Sequence, residues 1–177
     1  SFKKFNYLDN NFNDIINLKQ PFIGNAILNS CNLKKKIVQK DEMEKKLRKV
    51  LNLGHTFAHA YESHLGFSNK LNHGEAVIIG INNALEFSNR HKLMKNKTYS
   101  LIKNHIGKIP LNKNFKQLFK SKDINKIISF MKSDKKNNSK NVNIILIQNF
   151  GRIKINYQIK QNALRKFLIS ELKKKYL

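Results

Sequence analysis

Between residues 48 and 80 the chain reads RKVLNLGHTFAHAYESHLGFSNKLNHGEAVIIG, and no other stretch restricts the fold as much. Four of the six histidines fall inside it: His55, His59, His64 and His73. The spacing predicts a helix over 47–64, so His55 and His59 share one face a turn apart, with Glu62 a turn further on. Arg48 and Asn52 fall on or near that face on its N-terminal side. Gly66, Ser68 and Asn69 then interrupt the pattern. This predicts a loop over 65–72 and a second helix over 74–91, which buries Val77, Ile78, Ile81, Leu85 and Phe87. His73 stands at the mouth of that helix. Helix, loop and helix together can bring imidazoles from two segments onto one point, and neutral imidazole is a common ligand of Zn²⁺.

The spacing alone leaves two readings open. In one, His55, His59 and His73 serve a metal. In the other, His59 sits on a mixed helix face, His64 is solvated and His73 is a polar helix start. Gly54 directly precedes His55, and Gly74 and Glu75 directly follow His73; small residues beside such positions permit close backbone approach. Polar side chains at 48, 52, 55 and 59 would serve a hydrophobic core poorly, so that surface is expected to face a cleft.

Taken together, L-N-L-G-H-T-F-A-H-A-Y-E, the following L-N-H-G-E-A-V-I-I-G, the upstream set Lys34, Val38, Asp41, Glu42, Glu44 and Arg48, and the downstream Asp134-Lys135-Lys136 resemble the motifs of the 3-dehydroquinate synthase family. The resemblance runs from near residue 1 to about residue 160. Ala58 departs from it, standing where the family usually has glycine; a methyl group is all it adds, and alanine suits a helix better.

The resemblance implies a lyase of the shikimate pathway. That enzyme converts 3-deoxy-D-arabino-heptulosonate 7-phosphate to 3-dehydroquinate and phosphate, using NAD⁺ and Zn²⁺ or another divalent metal such as Co²⁺. By motif position His55 and His73 would be metal ligands. His59 and Asn52 would contact substrate or the departing phosphate, and Arg48 and Lys34 would bind its anionic groups. Glu44 would orient these neighbours, and Lys135 or Lys136 would reach the substrate from a loop, with Lys136 taken as the candidate. The family's third metal ligand, a glutamate, is expected before residue 1. NAD⁺ is expected on an N-terminal α/β domain absent from this chain, which has no G-x-G-x-x-G. The whole of 1–177 is then the metal- and substrate-binding domain, inactive alone and part of a homodimer in the full-length enzyme.

Elsewhere the pattern predicts helix over 1–20 up to Pro21, a second helix over 22–47, a short helix over 97–106 ended by Gly107 and Pro110, and helix over 124–131. The polar stretch 132–142 reads as a loop. Residues 142–147 and 152–157, β-branched around Asn149-Phe150-Gly151, predict a β-hairpin, and 162–177 a basic amphipathic helix. The fold class expected is mainly α, with one small hairpin near the C-terminus.

Charge bears on function only after that. Lysine and arginine number 35 against 11 acidic residues, a formal net charge of +24. A basic helical nucleic-acid module is the reading this invites. Against it, the arginines are only Arg48, Arg90, Arg152 and Arg165, and arginine is the favoured bidentate base reader. The lysines are spread along the chain, and abundant Lys, Asn, Ile and Phe follow from A/T-rich codons. The charge would instead draw anionic substrates to the protein. A third reading is an unrelated metal-dependent enzyme with His55, His59 and Glu62 or Glu75 in a complete site of its own. The single cysteine, Cys31, fits a reducing cytoplasm. No apolar run is long enough for a membrane span, and 1–8 do not form a signal peptide.

Overall fold

The computed structural model describes residues 1–133 and 141–174. Asp134, Lys135 and Lys136 lie outside the described residues, so the loop lysine and the whole of that expectation lie outside them too. The described chain is helical, with one two-stranded antiparallel sheet, as its pattern predicts.

The expected helix over 1–20 is two pieces, α1 (Phe2–Asn10) and α2 (Phe12–Ile16). Asn11 separates them, its side chain donating to the Tyr7 carbonyl at 2.7 Å and so competing with helical pairing. α3 (Phe22–Lys40) follows Pro21. It stops well short of residue 47, a difference with a local cause. The Asp41 carboxylate accepts the backbone N–H groups of Lys45, Lys46 and Arg48 at 2.8–2.9 Å. Those donors hold its carboxyl below the usual carboxylate range, Arg48 and Lys46 foremost. The chain is thereby wound into a hook, in which Glu44 takes a left-handed φ of 53°.

The expected single helix over 47–64 is likewise divided. Residues Leu47–Asn52 form a 3₁₀ helix, and α4 runs His55–His64. Between them Gly54 has a φ of 81°. It is pressed onto the next helix, where a Cβ on Gly80 would stand 2.3 Å from the Gly54 carbonyl oxygen. Glycine at both positions lets α4 start in contact with the backbone of α5 (His73–Arg90). α5 begins with a reciprocal cap: Asn72 accepts from the Glu75 N–H at 2.9 Å, and Glu75 accepts from the Asn72 N–H at 3.2 Å.

Beyond α5 come α6 (Asn96–Gly107), α7 (Phe115–Leu118), a 3₁₀ turn at Ser121–Asp123 and α8 (Ile124–Ser133). β1 (Asn141–Asn149) and β2 (Arg152–Lys160) form the hairpin, and α9 (Gln161–Lys173) ends the described chain. The core lies where α4, α5, α8 and α9 meet the hairpin: Phe57, Tyr61, Ile79, Phe87, Ile127, Ile128, Ile144, Leu146, Leu164 and Phe167 are all buried there. Tyr61 packs against Phe115 and Phe119, and Phe87 against Phe167, with ring centres 5.0–5.3 Å apart. This buried set fixes α4 against the N-terminal half of α5 and leaves the histidine face of α4 outward.

Candidate functional site

A cleft of about 520 Å³ opens along the exposed side of α4. Glu44, Lys49 and Asn52 line it from the hook and the 3₁₀ helix, His55, Thr56 and His59 from α4, and Asn143, Ile145, Asn156 and Gln158 from the hairpin. Asn52 and His59 thus share the cleft of His55, three and four positions from it along the chain. Lys34 does not: it is exposed on α3 and is not a lining residue. Arg48 is also absent from the lining. It is tethered beside the cleft, donating from Nη1 to the Glu42 carbonyl at 2.7 Å, with Nε 3.9 Å from Glu44.

Glu44 stands between two of the expected residues. Its Oε1 accepts from Asn52 Nδ2 at 2.6 Å, and its Oε2 faces Arg48. A left-handed φ at a glutamate is uncommon and is held here by the Asp41 hook. Sequence reasoning quoted Asp41 without giving it this part. The signal available was an acidic residue directly after a helix and before a run of otherwise unpaired N–H groups.

The three imidazoles converge. Ring centres are 5.5 Å apart for His55 and His59, 5.6 Å for His55 and His73, and 6.2 Å for His59 and His73. Two imidazoles on one tetrahedral zinc have ring centres roughly 5 Å apart, given Zn–N bonds of about 2.0–2.1 Å. The 5.6 Å between the ring centres of His55 and His73 is close to that separation, although the two come from different helices.

The hydrogen bonds of their other nitrogens bear on whether a metal fits. His55 Nδ1 lies 3.3 Å from the Leu53 carbonyl, which can only accept. His73 Nδ1 lies 3.0 Å from Glu62 Oε1, and Glu62 is 9% exposed. A proton on each Nδ1 leaves each Nε2 with its lone pair for a ligand, the arrangement that orients histidines in metal sites. The pair of rings fits a divalent ion. Among the described residues no group of three His, Cys, Asp or Glu side chains could hold a metal ion. A complete site built from His55, His59 and Glu62 or Glu75 is not formed: Glu62 is turned to His73, and Glu75 caps α5. His64 belongs to neither group; its Nε2 is 3.4 Å from Asp123.

The hairpin wall of the cleft, together with Lys49 and Thr56, is what sequence reasoning missed. The signal available was the i, i+2 spacing of Asn156 and Gln158 on β2, but nothing local says what that face meets.

Residues 2–137 match the family described as 3-dehydroquinate synthase C-terminal. A 3-dehydroquinate synthase of Pelagibacter ubique (strain HTCC1062) is 45% identical over 172 residues, covering 97% of this chain and 47% of that protein. One from Thermoanaerobacter sp. (strain X514) is 35% identical over 154 residues, 87% of this chain and 42% of that protein. The chain thus spans about half the length of the curated relatives it matches. Among solved structures, 2-deoxy-scyllo-inosose synthase complexed with carbaglucose-6-phosphate, NAD⁺ and Co²⁺ superposes with a TM-score of 0.60 at 22% identity, over 84% of this chain and 40% of that one. That likeness bears on the fold.

Proposed function

The chain belongs to the 3-dehydroquinate synthase family, and on that premise we propose that it forms the metal- and substrate-binding half of an enzyme that converts 3-deoxy-D-arabino-heptulosonate 7-phosphate to 3-dehydroquinate and phosphate. The observation that carries this reading is the meeting of His55 and His73, 5.6 Å apart, with each Nδ1 already committed to an acceptor. When bound, zinc supplies Lewis-acid polarisation of an alcohol and NAD⁺ supplies reversible hydride exchange. His55 and His73 would hold the metal through Nε2. The third donor, and the NAD⁺ site, would belong to the part of the relatives' length that this chain does not span. The full-length enzyme would be a homodimer.

The other cleft residues have parts their chemistry allows. Asn52, held by Glu44, presents its amide to substrate oxygens. His59, exposed in the cleft, can give or take a proton as the C–O bond to phosphate breaks and the neighbouring C–H proton is lost. Lys49 adds positive charge within the cleft, and Arg48 adds it from beside the cleft. Lys34 keeps its assignment from the family motif as an anion-binding group and Lys136 its assignment as the lysine that reaches the substrate, with Glu44 orienting Asn52 and Arg48. A net charge of +24 favours the approach of a phosphorylated sugar acid.

The experiment is complementation. The chain is mixed with a separately expressed NAD-binding half from a relative, with zinc and NAD⁺, and phosphate release is followed. Release from the mixture and from neither part alone supports the reading. Full activity from this chain alone, or none from a mixture whose halves associate, refutes it.

A further inference from the structure

The wall of the cleft that faces the histidines is made by the hairpin, and it has an unusual build. The strands pair Asn143 with Gln158 and Ile144 with Tyr157, but the next pair is Leu146 with Lys154. Two residues of β2, Ile155 and Asn156, therefore stand opposite one of β1, Ile145. Such a bulge bends a strand and re-aims its side chains, and bulges gather beside active sites. Asn156 has a φ of 54°, a left-handed conformation that asparagine tolerates better than most side chains. Val142, Ile144, Leu146 and Ile159 fill the core. Asn143, Asn156 and Gln158 line the cleft, while Lys154 and Lys160 of the same strand do not.

Beside the apolar Ile145, this wall is three carboxamides without a charge. An amide donates from nitrogen and accepts at oxygen, the same two-way pattern a hydroxyl offers. Phosphate and carboxylate only accept, and Lys49, Asn52 and the imidazoles across the cleft can serve them. Asn143 Oδ1 is also buried without a hydrogen-bond partner.

We propose that Asn143, Asn156 and Gln158 form a hydroxyl-reading wall, which sets the specificity of the cleft for a polyhydroxylated ligand while the opposite wall takes its anionic groups. The identity of that ligand as a sugar acid rests on the function proposed above; the wall itself rests on the bulge and the amide lining. Asn156 is placed by the bulge, Asn143 and Gln158 by their cross-strand pairing, and the three act together as one face.

The test is a titration of the isotope-labelled 177-residue chain, followed through its side-chain amide signals. The probes are quinate, a cyclic polyhydroxy carboxylate, and inorganic phosphate. Quinate is expected to shift the three amides, and phosphate to leave them in place. Asn156→Gly keeps the backbone conformation and removes only the amide, and Asn143→Ala removes the orphan acceptor. Each should weaken quinate about tenfold, and in the complemented enzyme raise KM about tenfold with kcat within about twofold. The proposal fails if the three amides stay still up to about 10 mM quinate, where even a millimolar ligand is mostly bound. It also fails if phosphate moves them equally, or if both variants bind quinate as the wild type does. Absence of phosphate release from a wild-type mixture whose halves associate would sink the proposed reaction, and amide shifts with quinate would still uphold the wall. Phosphate release with unchanged KM in both variants would sink the wall alone.

Discussion

The two ends of α5 use polar side chains in opposite ways. Near its C-terminal end, Glu86 is 6% exposed and fully engaged: Lys103 reaches it at 2.7 Å, Lys174 at 2.6 Å and the Tyr99 hydroxyl donates at 3.0 Å. Glu171 of α9, wholly buried, pairs with Arg90 and Lys174 at 2.9 Å. At its N-terminal end, His73 has a side chain 59% exposed and a single carboxylate partner, Glu62. Charge near the C-terminus is consumed in joining α5, α6 and α9. Near the N-terminus the ring is oriented by one bond and otherwise left accessible. The difference teaches where this domain keeps its stability and where it keeps its chemistry: substitutions at one end should change folding, and at the other should change binding and turnover.

The most severe test of that division is Phe87→Ala. Phe87 is 1% exposed and packs on Phe167 and Tyr157. Its truncation should cost about 3–5 kcal/mol in denaturant unfolding; a loss below about 1 kcal/mol would deny this end its structural part.

Glu86→Gln should come next, costing about 2 kcal/mol at neutral pH, with a pH dependence of definite sign. Burial pushes the Glu86 carboxyl up, but the hydrogen bonds from Lys103 and Lys174 outweigh it, and the net effect is a value below the ordinary 4.5. A depressed carboxyl stabilises above its unfolded value and loses that contribution as pH falls through the folded one. The gap between wild type and Glu86→Gln should therefore close as pH drops below 4.5. Glu171 runs the other way, since burial raises its carboxyl against the pull of Lys174 and Arg90. Its contribution is full below the ordinary value of 4.5 and is lost as pH rises through the folded value. Unfolding midpoints of Glu171→Gln across that range should move opposite to those of Glu86→Gln.

Of smaller free-energy effect is Arg48→Ala. In the complemented enzyme it should lower turnover at least about tenfold, that is about 1.4 kcal/mol, with the unfolding midpoint nearly unchanged. Unaltered turnover would remove Arg48 from the site. Least of all in folding terms is His59→Ala: the residue is exposed, so stability should stay within about 0.5 kcal/mol while phosphate release falls. Equal losses of stability and activity would erase the distinction between the two ends.

Much of this was legible in the sequence where a pattern is local. The helix expected over 74–91 is α5, Gln161–Lys173 falls where the basic amphipathic tail was read, and Asn149-Phe150-Gly151 does mark the hairpin turn. Four-residue spacing placed His55 and His59 on one face. The stretch 22–64 was misread as two abutting helices, because apolar periodicity continues through a 3₁₀ segment almost unchanged. What divides it is a side chain and a backbone angle: Asp41 captures three N–H groups, and Gly54 turns left-handed against Gly80. Lys34, assigned to the site by motif position alone, is exposed on α3 and outside the cleft lining. The amide wall was illegible for a different reason. It comes from a hairpin far along the chain, and its approach to α4 is decided by packing of the opposite, apolar face.

The central claim, that this chain brings part of a metal site through His55 and His73, is tested most directly by cobalt titration, read by visible absorption. The wild-type chain should bind one Co²⁺ weakly, His73→Ala should abolish that binding without unfolding the chain, and addition of the NAD-binding half should tighten the wild type by orders of magnitude as a further donor arrives. Tight binding by the chain alone that survives His73→Ala would contradict the account.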